Sequence, residues 1–75
     1  MMKIYGGTEG GDAIELRDLT LLVDVADLTL VIDFLKSCLE EIDSPDWEHE
    51  HLCDYSSDQD YSGPDIEVWK AKNYE

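Results

Sequence analysis

Positive charge is what this chain lacks most. Five Lys plus Arg stand against 19 Asp plus Glu, a formal net charge of −14. From residue 37 to residue 69 there are eleven acids and not one Lys or Arg. Phosphate contacts need clustered basic side chains, so direct nucleic-acid binding is excluded. Docking on an anionic membrane is disfavoured on the same ground. An acidic chain of this size points instead to a basic partner met under electrostatic steering.

Long apolar runs are missing as well. The longest apolar stretch, residues 19–39, is broken by Asp24, Asp27, Asp33 and Lys36, so no bilayer-spanning helix is expected. The opening Met2-Lys3-Ile4-Tyr5-Gly6-Gly7 has no apolar core of a signal peptide. Cysteine is sparse: Cys38 and Cys53 form no CxxC pair and no framework of four or six. Two thiols in an unsecreted chain are expected to stay reduced, and the expected location is the cytoplasm.

What is present is a small globular composition, 43% hydrophobic and 9% aromatic over 75 residues. That is one domain, 1–75, whose core is thin because only about 60% of the unfolded surface can be buried at this size. Residues 2–5 are β-prone and stop at the glycine-rich turn of residues 6–12. A phosphate cradle is a poor reading of that turn, since Glu9 and Asp12 repel phosphate and no Lys-Ser/Thr follows. Residues 13–23 alternate as a strand, with Ile14 and Leu16 on one face and Leu19, Leu21 and Val23 on the other. A bulge near Arg17-Asp18 would bring both sets to one side.

The spacing predicts a helix over 25–42. Asp24 caps it, Asp27 stands at the third helical position and Ser44-Pro45 ends it. Leu28, Val31, Ile32, Leu35, Cys38, Leu39 and Ile42 share one stripe, the expected core face. Leu30 lies opposite that stripe and Phe34 on its flank. Both are read as edge residues, the alternative being a homodimer contact. Beyond Pro45 the period returns to two: residues 47–53 and 66–70 plausibly pair as a hairpin across a polar loop at about 54–64. The expected fold class is α+β, a small antiparallel sheet in ββαββ order with one helix packed on one face.

Three constellations bear on chemistry. His49, His51 and Cys53 fall in phase on a strand, and imidazole with thiolate suits zinc. Same-face residues lie about 6.8 Å apart along a strand and no fourth ligand is dictated, so these are weak metal candidates only. Asp54, Asp58 and Asp60 loosely resemble a calcium loop whose Gly and terminal Glu are misplaced. The loop serines have no base to activate them, and abundant carboxylates without a pocket do not make an acid–base pair. No catalytic residue, no cofactor and no enzymatic activity are therefore expected. The third constellation is the aromatic series Trp47, Tyr55, Tyr61 and Trp69, interleaved with acids. Tyr and Trp anchor protein interfaces, so His49, His51, Trp69, Glu67, Asp54, Asp58, Asp60, Tyr55 and Tyr61 are the candidate partner-binding residues. Core packing of Trp47 and Trp69 is the plainer alternative.

The order of Met2-Lys3-Ile4-Tyr5-Gly6, Glu15-Leu16-Arg17-Asp18-Leu19-Thr20-Leu21, Asp33-Phe34-Leu35, Glu48-His49-Glu50-His51-Leu52 and Pro64-Asp65-Ile66-Glu67-Val68 resembles the immunity protein 32 family of bacterial polymorphic toxin systems. The likeness covers nearly the whole chain, and its most specific piece is His-Glu-His-Leu followed by Pro-Asp-Ile. The chain departs from the pattern at Asp24-Val25, where Ser-Pro is expected, and at Leu30, which replaces a polar position. The resemblance implies an α+β fold and neutralisation of a co-encoded toxin in the producing cell's cytoplasm, and transfers no catalytic residue. On charge alone a nuclease toxin is favoured, its basic groove being the natural target of an acidic protein. A small acidic assembly module, homodimerising through Leu30 and Phe34, is the other reading.

Overall fold

The computed structural model describes residues 2–74. It is a small α+β structure with two separate two-stranded antiparallel sheets. Strand β1 (Ile4–Gly6) pairs with β2 (Ile14–Leu16), in the register Ile4 to Leu16 and Gly6 to Ile14. The glycine-rich turn between them includes Gly10 at φ +79°, a left-handed conformation that glycine adopts without steric cost. Helix α1 (Val25–Glu41) follows, then β3 (His49–His51), the short helix α2 (Leu52–Tyr55), β4 (Glu67–Trp69) and a last turn of helix, α3 (Ala71–Tyr74).

Two expectations about the N-terminal half are corrected. The strand over 13–23 stops at Leu16, and residues 17–24 run on without regular structure rather than continuing past a bulge. Strand β1 offers three paired residues, and no other described strand lies beside 17–23 to extend the ladder. The single ββαββ sheet is likewise replaced by two hairpins that do not share an edge.

Helix α1 begins and ends where the sequence predicts. Asp24 is extended and its Oδ1 accepts the Asp27 backbone N–H at 2.8 Å, satisfying one of the donors a helix leaves open at its start. Ile42 closes the helix by donating its N–H to the Cys38 carbonyl. The face turned inward is rotated from the expected stripe: Val31 and Cys38 are buried as expected, whereas Leu28, Ile32, Leu35 and Leu39 are exposed. The buried residues are Val31, Phe34 and Cys38, with Leu30 half-buried against the same core. Phe34, expected at the edge of the stripe, is 0% exposed and at the centre of the core, which also removes it from the alternative homodimer contact. Its ring meets Tyr55 at 5.5 Å and 57°, a tilted geometry that suits the ring quadrupoles. Leu52 of α2, also 0% exposed, completes the core.

Of the two tryptophans, that core takes in Trp47, whereas Trp69 stacks on His49. Trp47, Tyr55, Tyr61, Ile66 and Val68 pack around the core, each half-buried. The Tyr61 hydroxyl donates to the Pro64 carbonyl, folding the 61–64 turn onto itself. Ser56, the buried polar residue, loses no hydrogen bond because its Oγ donates to the Leu52 carbonyl at 2.7 Å. Among the described residues no helix is long and apolar enough to cross a membrane.

Candidate binding face on the β3–β4 hairpin

Period-two patterning places the site. In the antiparallel register His49 faces Trp69 and His51 faces Glu67, which sets all four side chains on one side of the hairpin. The ladder runs one residue further at each end: Leu52 N–H donates to the Ile66 carbonyl at 2.8 Å and Lys70 N–H to the Glu48 carbonyl at 2.9 Å. The expected pairing of the runs 47–53 and 66–70 is therefore the pairing present. Glu50 and Val68, paired between them, point to the opposite side, and Val68 packs on the core.

On that side, where Glu67 is exposed and the rings are half-buried, the imidazole of His49 lies flat on Trp69, with ring centroids 4.0 Å apart and 6° between planes. The His51 ring meets His49 edge-on at 5.2 Å. Trp69 Nε1 donates to Glu67 Oε1 at 2.9 Å, so the indole and the carboxylate hold one another in place. His51 Nδ1 lies 2.6 Å from Asp65 Oδ2, and its Nε2 lies 3.8 Å from Glu67 Oε1. Asp65 is fixed a second time, because its Oδ1 accepts the Cys53 N–H at 2.9 Å. His49 Nδ1 and Trp47 Nε1 are buried without a hydrogen-bond partner.

The charges follow from this geometry. The Asp65 hydrogen bond, aided by Glu67 and Asp54 and opposed by desolvation, raises the proton affinity of His51 above its ordinary value. Partial burial pushes Asp65 up, but the bonds from His51 and Cys53 outweigh it and hold the carboxyl below its ordinary range. The Asp65 carboxylate beside the Cys53 thiol pushes that thiol up, which works against thiolate formation. The result is an imidazole held between two carboxylates that favour its protonated form, flanked by an aromatic stack.

Of the weak metal candidates, the structure separates Cys53 from the two histidines. Cys53 belongs to α2 and leaves the strand phase that would have aligned it. A different trio is drawn together: His51, Asp65 and Glu67 can each offer one ligand atom, all within 4.8 Å of one another. Asp65 already engages Nδ1, so a cation would be held by Nε2 and Glu67 Oε1 with Asp65 orienting the ring. That arrangement needs a neutral imidazole, whereas the two acids favour the charged form.

The other candidates stand apart from this cluster. Asp58 and Asp60 are exposed in the turn after α2, Asp54 is exposed in its first turn, and Tyr55 and Tyr61 face the core. Asp65 is the residue that sequence reasoning passes over. Its signal was available, since Asp65, Glu67 and Trp69 share one strand phase and the register sets Asp65 beside Cys53. A wide open cleft of about 1300 Å³ separates the N-terminal hairpin from residues 61–71, lined by Ile4, Leu16, Leu19, Ile66 and Val68 among others. No family model, no curated protein and no solved structure matches this chain.

Proposed function

We propose that this chain is a non-enzymatic inhibitor, an immunity protein that binds a bacterial toxin through a basic surface of that toxin. The observation that carries the reading is the exposed side of the β3–β4 hairpin. There the stacked His49–Trp69 pair is framed by Asp65 and Glu67, within a stretch of eleven acids and no Lys or Arg. An aromatic platform ringed by carboxylates suits a partner rich in Lys and Arg, whose guanidinium groups both stack on rings and pair with carboxylates. The resemblance of the ordered motifs to the immunity protein 32 family is in line with the same reading. Nuclease toxins have basic substrate grooves, which makes a nuclease the favoured target and the producing cell's cytoplasm the place of action.

Charge should govern encounter and the ring should govern lifetime. Replacing Asp54, Asp58 and Asp60 by Asn should slow association with the cognate toxin, and added salt should act the same way by screening. Trp69→Ala should instead speed dissociation, by about 2 kcal/mol or more in affinity. Stopped-flow or surface-binding kinetics on folded variants separate the two effects. Kinetics indifferent both to salt and to the Asp→Asn changes would refute the acidic face as the contact.

A further inference from the structure

Helix α1 carries a second apolar face that the monomer leaves in solvent. Val25, Leu28, Ile32, Leu35 and Leu39 are 84%, 42%, 43%, 45% and 73% exposed. Their spacing is 3, 4, 3, 4, the alternation of a heptad seam. At 100° per residue this seam lies about 105° around the helix from the Val31–Phe34–Cys38 face. The two faces do not compete for the same core.

We infer that this seam pairs α1 with α1 of a second copy of the chain. The residue types favour it: Val25, Ile32 and Leu39 fall at one seam position and Leu28 and Leu35 at the other, so the first two turns of the seam carry the β-branched and Leu combination that two-stranded helix pairs prefer. The area is sufficient. These five residues expose on the order of 500 Å² per copy, so about 1,000 Å² for two, the lower bound of a specific interface. Lys36, the one base on α1, flanks the seam, and the seam itself carries no charge. The need is clear too, because the buried apolar core among the described residues is Val31, Phe34, Cys38 and Leu52, and small domains commonly add oligomerisation to so thin a core.

This assembly is independent of the inhibitory reading and responds to salt with the opposite sign. Two copies of charge −14 repel, so screening should tighten the dimer while it weakens capture of a basic toxin. Sedimentation equilibrium of the full chain, at salt from about 0.05 to about 0.5 M, reads the effect directly. The expected result is a reversible monomer–dimer equilibrium in the micromolar range that tightens with salt. Leu35→Ala preserves the helix, since Ala is the strongest helix former and Leu35 lies outside the core, and should weaken the dimer by about tenfold or more. Leu35→Asp should leave only monomer, and Asp54→Asn should leave the dimer intact. A monomer at several hundred micromolar in high salt overturns the inference, as does a dimer that Leu35→Ala leaves unchanged.

Discussion

His51 sits between Asp65 and Glu67, and its charge state sets when that clamp contributes to folding. Its proton affinity is raised in the folded chain, so its contribution is full below the unfolded value of about 6.5 and fades as pH rises through the folded one. Asp65 is shifted the other way, and its contribution is full above about 4 and fades as pH falls through the lowered value. The pair therefore stabilises the fold most between those limits. Urea midpoints measured across pH should peak in that window, and Asp65→Asn should flatten both flanks of the peak. Metal binding at His51 would have to displace the proton that Asp65 and Glu67 favour. Melting temperature at neutral pH should be unchanged by a chelator, and stoichiometric zinc with a large loss of stability on its removal would contradict this.

At the scale of the element, α1 has a well-defined start and a single large anchor. Asp24→Ala removes the cap to the Asp27 N–H and should cost about 1 kcal/mol, seen as a lower urea midpoint at constant slope. Phe34→Ala empties the centre of the core and should cost about 3–5 kcal/mol, comparable to what so small a core supplies. That variant should lose its cooperative melt. The helix limits were legible because Asp24 and Pro45 act locally, and the β3–β4 pairing was legible because period two survives in short strands. The inward face of α1 was not legible. Two apolar stripes share that helix, and the choice between them lies with Leu52 and Tyr55, which arrive from a distant segment to receive Phe34. The extent of β2 was hidden for a related reason: alternation can mark a strand but cannot supply a neighbour for it. Within the site, the aromatic and histidine placement followed from phase, whereas the Asp65–His51 bond required the register itself.

At the scale of the molecule, two free thiols lie in opposite environments. Cys38 is buried within the core and Cys53 is exposed on α2. Burial also pushes the Cys38 thiol up, suppressing the reactive thiolate. Both thiols are pushed up, so exposure sets the order: an alkylating reagent at mildly alkaline pH should modify Cys53 first and Cys38 only after the helix has lifted off Leu52. Mass spectrometry over time should show one addition, a pause, then a second. The length of that pause is a clock for opening of the domain, wound by the same packing that Phe34 provides. It needs no introduced probe. Any treatment that closes α1 further, whether a bound toxin or a second copy, should lengthen the interval without touching the first addition.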